Sequence, residues 1–330
     1  MDFRTTIAPI PGLKGLIRHG EPIVLVGSCF SDNIGACLCD ELFEADVNPF
    51  GPIYNPLSVL SAFRTLAEKR LIDGDSLVER EGLFHSFLFH SRFSCADRAE
   101  ALAGMNRRIE VSAGNLRRAS TVIITLGTTR AFFLKDSGRV VANCHKMPSQ
   151  AFDIKYLTLD EVTEALMSTV DTVRGVNPAA TVIFTVSPLR YTELGAHGNQ
   201  LSKATLLLAI DKVVSARDGV MYFPAYEVMM DDLRDYRFYT EDMKHPSRQA
   251  VGYIYDLFKN TYFDDDTLAA AREAAALIRR LSHTVMKKSA DAAARENAAK
   301  EAAAEAFIRR FPKLQHACRR YINSLSTDGI

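Results

Sequence analysis

A chain of 330 residues with 47% hydrophobic content can bury a full core and is long enough for one large α/β domain plus an appendage. Forty Lys and Arg balance forty Asp and Glu, so no net field draws it to nucleic acid or an anionic membrane, and no apolar run is long enough to span a bilayer. The amino-terminal residues lack the basic-then-apolar pattern of a signal peptide, and six scattered cysteines form no paired framework, which together predict a cytoplasmic protein with reduced thiols.

In chain order, a lead containing Pro9, Pro11 and Gly20 precedes a first strand at about residues 22–26 and a helix at about 31–43, where Ser31, Asp32 and Asn33 offer capping oxygens. The sheet pattern then breaks. Residues 44 to about 95 read as an insertion with turns at Asn48-Pro49-Phe50-Gly51-Pro52 and Tyr54-Asn55-Pro56, a helix at about 57–70, and an alternating aromatic and polar run from Phe84 to Ser91. A helix at about 98–118 follows, then a second buried strand at 121–126 ending in Gly127-Thr128-Thr129. A hairpin around Asp136-Ser137-Gly138 delivers Asn143-Cys144-His145-Lys146. A helix at about 159–174, a strand at 181–186, a helix at about 201–216 and a strand at 220–223 complete an alternation that predicts a parallel sheet covered on both faces. A last helix spans about 248–260 with Ser247 as its N-cap. Residues 264–330 are rich in Ala, Arg, Lys and Glu and read as a helical extension with narrow apolar stripes at Leu277, Ile278, Leu281 and at Phe307, Ile308, Phe311, Leu314.

Three stretches carry chemistry. Ser28 ends the first strand at a strand-to-helix turn, the place where open α/β sheets hold ligands and where a helix N-terminus stabilises an oxyanion. It is expected as a nucleophile, against the plainer possibility that Gly27-Ser28 only makes the turn. Asp242 and His245, three apart on the loop before the last helix, suit an imidazole base oriented by a carboxylate. Cys29, beside Ser28, is weighed as a rival nucleophile; adjacent side chains diverge on such a turn, and Ser28 is preferred. His85, His90 and His145 match no zinc spacing, and Cys37 and Cys39 face different ways on one helix, so no metal site is expected. His85 and His90 are candidate pocket-lining residues, and Arg190, Lys203 and Arg237 are candidates for binding a carbohydrate or an anionic group.

The blocks Gly27-Ser28-Cys29-Phe30-Ser31, Asn48-Pro49-Phe50-Gly51, Tyr54-Asn55-Pro56, Val141-Ala142-Asn143-Cys144-His145-Lys146, Phe184-Thr185-Val186-Ser187-Pro188, Gly198-Asn199-Gln200-Leu201-Ser202-Lys203 and Glu241-Asp242-Met243-Lys244-His245-Pro246-Ser247, in this order, resemble the GSCFA domain family. Ser31 stands where the family name has alanine. The resemblance runs from about Phe3 to Leu257 and implies a branch of the SGNH, or GDSL-like, hydrolases: a three-layer α/β/α sandwich with a mainly parallel sheet over residues 1–263. It implies Ser28 as nucleophile with Asp242 and His245 completing a triad. It also implies an oxyanion hole made of the Ser28 N–H, a glycine N–H, for which Gly51 is the candidate, and an asparagine in a Gly-x-Asn turn. Thr129 occupies that asparagine's place, so Asn143 or His145 becomes the candidate replacement.

The expected activity is a serine hydrolase removing an acyl group, acetyl in the first instance, from an oxygen ester on a small molecule or carbohydrate, without a cofactor. An acyltransferase would use the same residues. A noncatalytic binding domain that has lost the oxyanion donor is the competing class. The C-terminal helices are candidates for a homo-oligomer contact.

Overall fold

A computed structural model of the chain describes residues 5–282 and 290–327. Its strands are β1 (Ile23–Gly27), β2 (Ala45–Val47), β3 (Val78–Arg80), β4 (Leu83–His85), β5 (Thr121–Leu126), β6 (Arg130–Leu134), β7 (Val140–Val141), β8 (Phe152–Tyr156), β9 (Thr181–Val186) and β10 (Val220–Phe223). The helices are α1 (Cys29–Asp40), α2 (Pro56–Glu68), α3 (Arg98–Arg118), α4 (Leu159–Val176), α5 (Gly195–Ala216), α6 (Ala225–Glu227), α7 (Arg248–Tyr262), α8 (Asp265–Ser282), α9 (Ala290–Arg310) and α10 (Gln315–Thr327). None of the described helices is long and apolar enough to cross a membrane.

The chain divides into two compact units. The first takes in residues up to Ile7, Ile23–Gly35 and Asp46–Ile254, and is built on a five-stranded sheet in the order β10-β9-β5-β1-β2. The pairs β1 with β5, β5 with β9 and β9 with β10 are all parallel. Val24, Val26, Val122, Ile124, Val182 and Phe184 face one core cluster with residues of α2, α3, α4 and α5. The intervening Ile23, Leu25, Ile123 and Ile183 are equally buried on the opposite face. The sheet is thus the middle of a three-layer α/β/α sandwich, which is why its strands read as continuous apolar runs rather than alternating ones.

Residues 44–95, expected as an insertion, contribute to this core: Phe50, Ile53, Val59, Phe63, Leu66 and Phe89 belong to the same cluster as the sheet. Asn55 starts α2 by accepting the Ser58 N–H at 2.9 Å, with Pro56 at the position where a missing N–H does no harm. Thr158 and Glu161 form a capping box on α4. The hairpin of β6 and β7 is present, and β8 extends it to a three-stranded antiparallel sheet in the order β7-β6-β8.

The strand order places a topological switch at β1. The chain leaves β1 for β2 on one side and returns to β5 on the other, so a crevice opens at the carboxyl ends of β1 and β5, where such folds hold ligands. Ser28 and Gly127-Thr128-Thr129 lie at those two ends.

The second unit comprises Ala8–Pro22, Ala36–Ala45 and the chain from Tyr255 on. Here the apolar stripes anticipated from sequence are used internally: Leu277, Ile278, Leu281, Phe307, Ile308 and Leu314 pack with Leu42, Ala274, Ala304 and Cys318, and Phe311 lies against them. Glu41 accepts from the Tyr255 hydroxyl at 2.7 Å and from Lys259 Nζ at 3.2 Å, and Arg18 pairs with Asp264 at 3.1 Å.

Candidate active site

The turn after β1 is held so closely that its first residue must be glycine. A Cβ on Gly27 would lie 2.2 Å from the Thr125 carbonyl oxygen of the adjacent strand. Asn48 then fixes the turn from outside. Its N–H donates to Leu25 O at 2.8 Å, its Oδ1 accepts the Gly27 N–H at 2.8 Å, and its Nδ2 donates to Asp32 Oδ1 at 2.8 Å and to Ser28 O at 3.4 Å. Asn48 is fully buried with φ at +41°, a conformation asparagine tolerates better than most residues. In the sequence it stands out only as part of a turn and of the Asn48-Pro49-Phe50-Gly51 block, with no role assigned to it.

Ser28 is turned inward. It is 1% exposed, its N–H donates to Thr125 O at 3.0 Å, and its hydroxyl donates to Ser187 Oγ at 3.0 Å. The same hydroxyl oxygen accepts the Phe30 N–H at 3.3 Å and the Ser28 carbonyl accepts the Ser31 N–H at 2.8 Å, so the helix cap is Ser28 rather than the expected Ser31. Ser31 instead donates to Thr125 Oγ1 at 2.8 Å. Cys29, the first residue of α1, is half-buried with its sulfur 3.4 Å from the Tyr54 hydroxyl. Its backbone N–H has no acceptor among the described residues. Burial raises the Tyr54 hydroxyl pKa well above its ordinary value, with the Cys29 thiol adding to the effect.

Asp242 and His245 come together as the spacing predicts: His245 Nδ1 lies 2.5 Å from Asp242 Oδ2. The carboxyl is held far below the usual carboxylate range because the Thr240 hydroxyl, the His245 N–H, the His245 ring and the Lys244 N–H all donate to it. The Lys244 carbonyl accepts the Arg190 N–H at 3.0 Å, tying this loop to the segment that leaves β9 at the sheet's carboxyl edge. His245 makes no hydrogen bond to Ser28.

Several of the anticipated oxyanion donors are committed elsewhere. The Gly51 N–H donates to Asn48 O at 2.8 Å, and the Thr129 N–H donates to Ser202 Oγ at 2.9 Å with its hydroxyl 3.3 Å from the same oxygen. Asn143 accepts the His145 N–H on Oδ1 at 2.9 Å, while its Nδ2, the group that would donate to an oxyanion, has no acceptor among the described residues. Both ring nitrogens of His145 are occupied, Nδ1 by Ser91 Oγ at 3.1 Å and Nε2 by Ser86 O at 2.8 Å, and its ring packs on His85 with centroids 4.4 Å apart. Burial lowers the His145 pKa, so a neutral ring suits this setting. At the turn itself the Cys29 N–H is a free donor, the particular group at the helix N-terminus that the sequence reading did not single out.

The substrate candidates divide. Lys203 is a correction: only 1% exposed, its Nζ donates to the carbonyls of Gly127 and Ser187, each at 2.8 Å, and so it fastens the ends of β5 and β9 together beneath the site. Burial pushes its pKa down to about 7. His85 is likewise buried, between Ser94 Oγ at 2.6 Å and Arg80 O at 3.3 Å. Arg237 is exposed, 3.7 Å from Asp235 and against Phe238. His90 stays near the turn, its side chain against Gly51, and burial followed by the Arg92 charge lowers its pKa. Arg92, not anticipated, donates to Asn48 O at 2.9 Å and lies 3.6 Å from Asp32. Arg190 lines a cleft of about 430 Å³ beside the Asp242–His245 loop. Among the described residues no group of three or more His, Cys, Asp or Glu side chains is placed to hold a metal ion.

The GSCFA family model matches residues 22–258. No curated protein matches the chain. Among solved structures, a family 3 carbohydrate esterase of Clostridium thermocellum is similar with a TM-score of 0.37 and 10% identity over 77% of this chain and 98% of its own. The acetyl xylan esterase Est2A of the rumen bacterium Butyrivibrio proteoclasticus gives a TM-score of 0.37 and 10% identity over 73% of this chain and 64% of its own.

Proposed function

Because the chain belongs to the GSCFA family, with the match spanning the sheet and both candidate loops, we propose that it is an SGNH-like hydrolase that removes an acyl group, acetyl in the first instance, from an oxygen ester on a carbohydrate. The observation that carries this reading is the Asp242–His245 pair on a loop fastened to the exit of β9, at the same sheet edge as Ser28 and Cys29. Asp242 accepts from His245 Nδ1, which leaves Nε2 as the proton acceptor. In the attack, Ser28 Oγ turns from Ser187, bonds to the acyl carbon and gives its proton to Nε2. The Cys29 N–H is a donor available to the developing oxyanion. Collapse breaks the carbon–oxygen bond to the sugar, whose oxygen takes the proton back from Nε2. Water, deprotonated by the same nitrogen, then releases the acid and restores Ser28. A sugar hydroxyl in place of that water makes the enzyme an acyltransferase.

A second reading has specific support: Cys29 attacks, and Ser28 stays in the floor. Cys29 is half-buried where Ser28 is 1% exposed, and it is the first residue of α1, beside the N–H at that helix's start that is unpaired among the described residues. The test is trapping of the acyl-enzyme from nitrophenyl acetate followed by peptide mapping, in wild type and in Ser28→Ala, Cys29→Ala and His245→Ala. An acetyl group on Ser28 that is lost in Ser28→Ala supports the first reading, and one on Cys29 that is lost in Cys29→Ala supports the second. Turnover indistinguishable from the buffer rate in folded wild type removes both and leaves a binding domain.

A further inference from the structure

The cleft beside the Asp242–His245 loop has an electrostatic character set by Arg190. Arg190 is placed by its backbone, through the N–H donated to Lys244 O, and its guanidinium lies over two aromatic rings, 5.2 Å from the centroid of Tyr236 and 5.5 Å from that of Tyr239. Those rings are 6.0 Å apart and inclined by 41°, forming an aromatic wall. Met229 and Met230 supply an apolar surface, and Asn199 and Gln200 supply amides.

The charges along this cleft do not cancel. Arg234 lies 3.6 Å from Asp231, and Asp235 lies 3.7 Å from Arg237, so both of those lining charges have partners. Arg190 pairs with no carboxylate among the described residues. Its one side-chain hydrogen bond, from Nη1 to Met243 O, is 3.5 Å long and leaves most of the guanidinium fork unused. A guanidinium held against aromatic faces with its donors free is suited to binding an oxyanion in a forked geometry, while the rings beside it suit the C–H face of a sugar.

We propose that this cleft is the binding site for the alcohol portion of the ester, and that Arg190 selects substrates whose sugar carries an anionic oxygen group, carboxylate or phosphate. The substrate class rests on the hydrolase reading above, but the binding of an anionic sugar does not. The placement fits both: the cleft adjoins the loop that carries His245, since Arg190 donates its N–H to Lys244 O and Tyr239 pairs with Pro246.

The probes are methyl galacturonoside, methyl galactoside and methyl galactoside phosphate, unacetylated for titration calorimetry and mono-O-acetylated for acetate release. Wild type is expected to bind at least one charged glycoside at least about tenfold more tightly than the neutral one, the scale of a charge-assisted hydrogen-bond pair. In Arg190→Gln the ratio of charged to neutral binding falls toward one, and Arg190→Lys retains part of it as a point charge without the fork. Comparing charged with neutral ligand inside each variant separates loss of selection from loss of fold. The two charged arms distinguish a uronate from a phosphorylated sugar. Equal binding of charged and neutral glycosides, no binding of either, or a preference that survives Arg190→Gln overturns the proposal. Arg190-dependent binding without acetate release leaves the cleft standing and removes the hydrolase reading, while acetate release without charge preference does the reverse.

Discussion

The Ser28 hydroxyl donates to Ser187 Oγ across the end of the intervening strand β5, and this bond decides which way the residue at the tip of β1 faces. It competes directly with any role for Ser28 as a nucleophile. If Ser28 attacks substrate, Ser187→Ala removes the competing acceptor, and labelling of Ser28 by a fluorophosphonate should rise. If Cys29 attacks, Ser187→Ala should leave its alkylation by iodoacetamide unchanged. In either case the lost hydrogen bond should lower stability by about 1 kcal/mol, read from urea denaturation.

Asn48 is the second test. Asn48→Ala leaves the buried Gly27 N–H without its acceptor and removes the bond to Asp32, so stability should fall by about 1–3 kcal/mol. Asn48→Asp restores an acceptor but sets a second carboxylate against Asp32, and should be no more stable than the alanine variant. An Asn48→Ala protein with the wild-type urea midpoint and wild-type turnover would contradict the role given to this residue.

For Asp242 the direction of the pKa shift fixes the sign. A carboxyl whose folded pKa lies below its unfolded value adds stability at all pH values above the ordinary carboxylate range, and loses it as pH falls through the lowered folded value. Asp242 therefore remains ionised throughout the neutral range. Asp242→Asn keeps the shape but presents an amide, which favours the wrong imidazole tautomer, so turnover should drop by about three to four orders of magnitude with little change in KM. A drop of less than tenfold would remove the orienting role.

Lys203 acts in the alkaline range instead, with the same sign. Burial lowers it from the ordinary 10.5 to about 7, so between those values the unfolded chain binds a proton that the folded one does not. Stability should rise with pH across that interval, and the rise should be absent in Lys203→Met. Urea midpoints of the two proteins at pH 7, 8 and 9 give the comparison; parallel profiles would show that the ammonium stays charged through its two carbonyl partners.

Much of this arrangement is legible in the sequence, for identifiable reasons. The central strands announce themselves because a strand buried on both faces is a run of apolar, mostly β-branched residues, as in Ile23 to Val26 and Thr121 to Leu126. The Asp242–His245 pair is readable because its two members are three residues apart and fold locally. Strand β8 is not, since four of its five residues are exposed and it is recruited only by pairing with β6. The direction of Ser28 depends on Ser187, the role of Asn48 on a loop returning to β1, and the burial of Lys203 on carbonyls at two strand ends. Such long-range partners leave no local periodicity or cap signal. Lys203 in particular reads as a solvated cation from its residue type alone.

The knot of bonds at Ser28 also has a bearing on when the site comes into being. Its N–H reaches Thr125 and its hydroxyl reaches a residue 159 positions further along the chain, so neither bond forms by local closure. Contacts of such wide sequence separation are assembled after the loops between them have closed, and they slow folding accordingly. A growing polypeptide that has emerged only as far as β5 possesses Ser28, Cys29 and Asn48 but neither Ser187 nor His245. Ser28 and Cys29 thus spend much of synthesis without Ser187 and His245, and the candidate site is assembled only once most of the α/β unit has been made.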